Sequence, residues 1–278
     1  KIAGTGSGLV AHYTFDEGSG TTARDASGNN NTGTLTNGPT WVTGANTRVG
    51  SGALQFDGTN DYVATPDSTS ISSLEGSNQA TIAYWINRNS TTGSMGLISR
   101  DTPGKLFNMY SDSNFTVRTI WSYGGSGTGG TTLWVNCSNT ICLMPVGQWH
   151  HVVVIYNNPT SYIYVDGQLK YQNSGTGGVL NTDVSAPLQI GRYSTLYFSG
   201  SLDDVRIYNR ALSADEVSQL YVLGGGTVPP PLAVNGTCGP AAKLYTSAES
   251  FPQGAYCSGG TVNPTTPSDP AQGGSSLW

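Results

Sequence analysis

The chain has 278 residues, 38 of them glycine, with only 10% charged residues and a formal net charge of −5, a length that fits one large body of ~200–250 residues plus a small appendage. Its 12 Lys and Arg form no basic stripe that would neutralise phosphates, which argues against nucleic acid and against anionic membranes as partners. No apolar run approaches the ~20 residues needed to cross a bilayer and no basic, apolar leader is present, so the chain reads as a mature protein or a fragment inserted in no membrane.

Residues 1–7, KIAGTGS, are a small-residue lead-in without periodicity. From Gly8 onward, alternation and β-branched or aromatic enrichment predict strands at 9–15, 53–56, 62–64, 80–87, 96–100, 106–110, 115–121, 132–135, 149–156, 161–165, 169–172, 188–192 and 201–208. Many short strands separated by turn signals mean an all-β sandwich or barrel. Asp166-Gly167 between YIYV and QLKYQ is the strongest hairpin signal, because a type I′ turn needs positive φ at both central residues. Between Trp121 and Val146 lies a Gly/Ser/Thr-rich insertion with a short strand and a cysteine bracket, and loops held on a rigid scaffold are where specificity usually sits.

Residues 200–221, GSLDDVRIYNRALSADEVSQLY, join a strand, a paired-acid step and a capped helix. Adjacent Asp203 and Asp204 are expected on opposite sheet faces. The inward carboxylate then needs a cation or a full set of donors, since a bare buried charge costs several kcal/mol. Ser213 and Glu216 make a capping box that opens a short helix ending before Gly224. Residues 223–231 are a Gly/Pro linker closing on three consecutive prolines, and 232–278 form a tail too poor in apolar residues for a core of its own.

The cysteines fall as Cys137 with Cys142 and Cys238 with Cys257, without metal-type spacing. Of the three pairings four cysteines permit, the local one is favoured. Disulfides imply an oxidising compartment, so the expected location is extracellular, at the cell surface or secreted.

The closing segment resembles the last strand and helix of the laminin-G-like jelly-roll family, a concanavalin A-like lectin/glucanase sandwich. LVAHYTFDEGSGTTARDASGNNNTGTL at 9–35 resembles its opening strand and Asp-rich loop, GALQFDGTNDYV at 52–63 a second signature, and QWHHVVVIYNN with YIYVDGQL at 148–169 its central hairpin. The resemblance covers roughly 8–222 and implies an antiparallel two-sheet jelly-roll sandwich with one short helix near its C-terminal end. It also implies a structural calcium, with Asp16, Asp25, Asn30 and Asp204 as ligands if the domain's two ends meet. Carboxylates and amide oxygens are what calcium takes. The alternative is that Asp25 and Asn29 build Asx turns and that Asp203 or Asp204 pairs with Arg206. The tail resembles the start of a disulfide-bearing repeat of modular bacterial surface proteins.

His150 and His151 point to opposite faces of one strand and have no third ligand at zinc spacing, so both read as structural. A glycosidase needs two carboxylates roughly 5 to 9.5 Å apart. The four glutamates, Glu17, Glu75, Glu216 and Glu249, have no acidic partner two or four positions away on a strand, and no E-x-D-x-x-E or G-x-S-x-G occurs. Aromatic rings that bury sugar faces, with polar neighbours for the hydroxyls, fit the sequence better. Trp121, Tyr123, Trp134, Tyr110 and Tyr193, with Arg100, Asn108 and Arg192, are the expected ligand contacts. Trp85 and Trp149 read as core. The function expected is noncatalytic recognition of a glycan, surface glycoprotein or polysaccharide by a bacterial surface or secreted protein. The alternatives are a structural subunit of a surface appendage contacting neighbouring subunits, and a polysaccharide-degrading enzyme.

Overall fold

In the computed structural model the described residues are 6–227, apart from 90–92, 101–106, 112–116, 126–129, 138–140, 143 and 183. The chain divides into two compact units, Lys1–Val228 and Pro229–Trp278. The first is the sandwich; the expected tail at 232–278, with Cys238 and Cys257, lies outside the described residues. Eighteen strands follow one another: β1 Leu9–Tyr13, β2 Thr22–Ala23, β3 Gly33–Thr36, β4 Thr40–Thr43, β5 Gly52–Asp57, β6 Tyr62–Thr65, β7 Gln79–Arg88, β8 Met95–Arg100, β9 Phe107–Ser111, β10 Val117–Tyr123, β11 Thr131–Asn136, β12 Trp149–Asn157, β13 Thr160–Val165, β14 Gln168–Ser174, β15 Leu188–Ile190, β16 Arg192–Tyr193, β17 Leu196–Tyr197 and β18 Ser199–Tyr208. Two helices join them, α1 Thr69–Ser72 and α2 Ala214–Leu223.

The strands build two large antiparallel sheets. Sheet A runs β14-β13-β12-β7-β18-β5-β4, with β1 also pairing β18, and sheet B runs β11-β10-β9-β8-β15-β6-β3-β2. The fold is the antiparallel jelly-roll sandwich expected. Asp166 and Gly167 both have positive φ (52° and 74°), as the hairpin signal requires. The strands β2, β3, β4, β16 and β17 were not among those expected. At two to four residues each, they are too short to show alternation.

Alternation decides which side chains fill the gap between the sheets. Ile82, Tyr84, Ile86, Val152, Val154, Tyr156, Leu202, Val205 and Ile207 of sheet A pack with Val63, Ile98, Phe107, Val117, Trp121, Tyr123, Leu188 and Ile190 of sheet B in one core. A second cluster, Ala83, Val153, Ile155, Tyr208, Leu212, Val217 and Leu220, lies on the other face of sheet A beneath α2. The capping box starts that helix as expected: Ser213 accepts from the Glu216 amide, and Glu216 reaches back to the Ser213 amide. Helix α2 thus covers the outer face of sheet A.

Asp203 and Asp204 do not divide between the two faces. The β18–β7 register shifts between Asp203 and Arg206, and Asp204 adopts φ 48°. That bulge adds a residue to the strand. Asp203 stays opposite Trp85, while Asp204 bonds to His12 and Arg206, themselves a register pair. Both carboxylates therefore stay off the inner face, which keeps Leu202, Val205 and Ile207.

Candidate functional site

The four expected calcium ligands are placed near the meeting of the domain's two ends, since β1 pairs with β18, but each belongs to a different hydrogen-bond system. Asp16 Oδ1 accepts from the amides of Ser51 (2.5 Å) and Gly52 (2.8 Å). Gly50 sits so close that a Cβ there would stand 2.4 Å from Asp16 Oδ2. Asp25 accepts from the amides of His12, Ser27 and Asn31, each at 2.9 Å, an Asx-type brace that ties the loop to β1. Asn30 is exposed at φ 60°. Asp204 Oδ1 meets His12 Nε2 at 2.7 Å and accepts from Arg206 Nη2 at 2.9 Å.

Burial alone would raise the Asp204 carboxyl, but the His12 hydrogen bond and the Arg206 charge together hold it below the usual carboxylate range. Asp204 is held between an arginine and a histidine, Asp25 accepts from three amides and Asp16 from two through one oxygen, so these carboxylates do not converge as a calcium donor set. Among the described residues no group of three or more His, Cys, Asp or Glu converges on one point.

The outer face of sheet A holds a second buried polar group. His151, Trp85 and Asp203 stand in one register row, the Trp85 ring lies against His151 (5.1 Å) and Tyr221 of α2 (5.6 Å), and Arg48 lies over it at 4.3 Å. His151 is neutral here, pushed down to about 4 chiefly by burial. His150 is held by Asp166 Oδ2 at 2.8 Å. Both histidines are structural, as expected. Trp85 is fully buried, whereas Trp149 is half-buried rather than core.

Of the residues expected to touch a ligand, three belong to the interior. Trp121 is fully buried, stacked on Tyr156 at 5.6 Å, and its Nε1 donates to Ser161. Tyr123, also buried, stacks on Tyr156 and bonds to Thr176. Arg100 pairs with Asp67 (2.8 Å) and Glu75 (2.7 Å) beneath sheet B. The reason is parity: residues 117, 119, 121 and 123 share one face of β10, and Val117 commits that face to the core.

Trp134 lies on the opposite, outward side of sheet B, positions 108 and 110 are placed by register alone, and Arg192 and Tyr193 belong to the β16–β17 hairpin. Trp134, 55% exposed on β11, is in register with Ile120 and through it with position 108 of β9. Position 108 faces Ser99, Ser99 faces Gln189, and Gln189 faces Ala64. The neighbouring row carries Asn136, Arg118, position 110 and Gly96. Asn108 and Tyr110 are thus placed by backbone register.

At the far side of these rows the β16–β17 hairpin folds onto β8. Gly96 makes room for it: a Cβ there would lie 2.1 Å from the Tyr193 amide nitrogen and 2.5 Å from the Leu196 carbonyl oxygen. Ser99 Oγ donates to the Arg192 carbonyl at 2.9 Å. The Arg192 guanidinium then lies over the rings of Tyr62 (4.9 Å) and Tyr197 (5.5 Å), all three half-buried. Tyr193 is the hairpin partner of Leu196. Tyr62 was missed by sequence reasoning, although its position next to inward Val63 marks it as outward. Near the outer strand, the Cys137–Cys142 disulfide is formed.

These features define a concanavalin A-like sandwich in which α2 covers one outer face and the other carries an exposed tryptophan on its outer strand and a half-buried, tyrosine-backed arginine at its far side, with Ile120 and Ser99 buried in the row between them. A family model described as the concanavalin A-like lectin/glucanases superfamily, of laminin G type, matches residues 57–218, and the chain belongs to that family.

Among solved structures it is similar to domain 4 of AbnA, a GH43 extracellular arabinanase from Geobacillus stearothermophilus, in complex with arabinotriose. The likeness has TM-score 0.57 and 23% identity over 77% of this chain and 98% of that one. It is also similar to a structure of botulinum neurotoxin type C, whose cell entry depends on interaction with two ganglioside molecules (TM-score 0.61, 12% identity, 81% of this chain and 53% of that one). A third is the binding domain of botulinum neurotoxin DC in complex with SialylT (0.60, 11%, 79% and 52%). The chain spans about half of these toxin structures. Among curated protein sequences nothing matches it at a significant level.

Proposed function

We propose that this chain is a noncatalytic extracellular recognition module that binds a glycan across the outer face of sheet B, between Trp134 and the Tyr62–Arg192–Tyr197 platform. The observation that carries this reading is the asymmetry of the sandwich: α2 buries the outer face of sheet A, while sheet B presents a 55%-exposed tryptophan and a tyrosine-backed arginine. An indole ring buries the apolar C–H face of a sugar, and hydroxyl, amide and guanidinium groups meet its oxygens.

Three strand spacings separate β11 from β8, about 14 Å, which suits an oligosaccharide. Among the described residues in the two rows none is Asp or Glu, the pair a glycosidase would need. The disulfide supports an oxidising, extracellular setting. That AbnA domain 4, similar along almost its whole length, was solved with arabinotriose makes arabino-oligosaccharides the first probes.

The test is titration calorimetry against a panel of plant and bacterial oligosaccharides, comparing the wild type with Trp134→Ala. Binding that weakens about tenfold or more, close to 1.4 kcal/mol, at an unchanged melting temperature is the expected result. A ligand bound equally well by both proteins would refute the site.

A further inference from the structure

We propose that the glycan is anionic and that Arg192 receives its charged substituent, a carboxylate or a sulfate ester; this rests on the reading of the outer face of sheet B as the glycan site. Arg192 is fixed before any ligand arrives. Its carbonyl is held by Ser99, its Nε donates to the Ser194 carbonyl at 2.9 Å, and its guanidinium rests over Tyr62 and Tyr197. Ser194 reaches that position through a positive φ of 55°.

No carboxylate pairs with Arg192 among the described residues, in contrast to Arg100, Arg206 and Arg210, each of which has one. The terminal nitrogens of a guanidinium bonded through Nε still offer donors suited to two anionic oxygens. A rigid, ring-backed arginine loses little side-chain freedom on binding.

The charge distribution points the same way. The protein carries a net charge of −5, yet the described residues of the outward rows include no acid, and the hairpin at their far side adds the Arg192 guanidinium. Arg118 stands in the row that ends at Gly96 under the hairpin, with its Nε on Asn136 Oδ1 at 3.1 Å. An overall negative protein gives an anion no long-range attraction, so recognition is local and its salt dependence is that of one ion pair.

The experiment titrates four probes into the wild type, Arg192→Gln and Arg192→Lys: an oligogalacturonide, its methyl ester, a sulfated galactan oligosaccharide and an arabino-oligosaccharide. The expected result is that one anionic probe binds the wild type about tenfold or more tighter than the neutral probes. That advantage shrinks at high salt, vanishes in Arg192→Gln and survives in part in Arg192→Lys, which keeps the charge over the rings. Preference for the oligogalacturonide identifies a carboxylate, and preference for the galactan a sulfate.

An anionic advantage that persists in Arg192→Gln, or the lack of any anionic probe that outbinds the neutral ones, overturns the proposal. Neutral probes whose binding is lost in Trp134→Ala but untouched in Arg192→Gln, with no anionic advantage, leave the glycan reading standing and sink this one; no binding of any probe sinks both. Should Arg192→Gln melt below the wild type, Arg192→Lys together with the comparison of anionic with neutral probes on the wild type decides.

Discussion

Removing the charge of Asp203 should make the protein more stable as the pH rises. This side chain is fully buried. Its Oδ2 accepts from the amides of Arg48 (2.9 Å) and Val49 (2.8 Å), and its Oδ1 has no partner among the described residues. Burial is the main cause that pushes the carboxyl up to about 7, against the pull of the two amides and with some help from Asp204.

A folded-state value above the unfolded one means that the stability is present below about pH 4 and is lost as the pH rises through 7. Going from the ordinary carboxyl value of 3.8 to about 7, at about 1.4 kcal/mol per tenfold change in proton affinity, gives about 4 kcal/mol as an upper bound. Asp203→Asn keeps an oxygen for both amides and does not titrate. The neighbouring charged groups are common to both proteins, and the neighbouring charge that acts on Asp203, that of Asp204, shifts its own titration in the same direction when the Asp203 charge is removed.

Urea unfolding at pH 4, 6 and 8 measures that difference through the midpoint at constant slope. The variant should gain little at pH 4 and about 2–4 kcal/mol at pH 8. A constant offset across the range, or a gain that falls with pH, would refute the reasoning.

Two further outcomes follow from the structure. Gly96→Ala places a Cβ against backbone atoms of the β16–β17 hairpin; thermal melting should fall by about 1–3 kcal/mol of stability and Arg192-dependent binding should disappear, and unchanged melting with wild-type affinity would show that the hairpin does not need that contact. Melting with and without a chelator should coincide, because Asp16, Asp25 and Asp204 are each committed to other partners. A fall of more than about 3 °C, roughly 1 kcal/mol for a body of this size, would establish an ion.

The architecture was largely legible because its signals are local. Alternating strands, the Asp166-Gly167 turn and the Ser213–Glu216 cap each act within a few residues, and all took the predicted form. The site was legible only in part. Trp121 and Trp134 look alike in sequence, both in short strands beside Gly-rich loops; parity separates them, and Val117 together with outward Arg118 supplied that parity before any coordinates.

The metal expectation was drawn from oxygen-rich residues that do lie near the meeting of β1 and β18. Composition does not reveal which amides and cations already occupy each carboxylate. The bulge that keeps both Asp203 and Asp204 off the inner face defeats a strict two-residue period by inserting one residue, and no side-chain pattern announced it.

The pairing of Leu9 with Tyr208 sets the first and last strands of the domain side by side. Polypeptide therefore enters beside the end of the last strand, with only α2 between that point and the way out. A body wired in this manner can be spliced into a surface loop of a host protein without forcing the host's flanking segments apart, and rejoining those strands by a short connector while opening a distant turn should give a permuted domain that still folds.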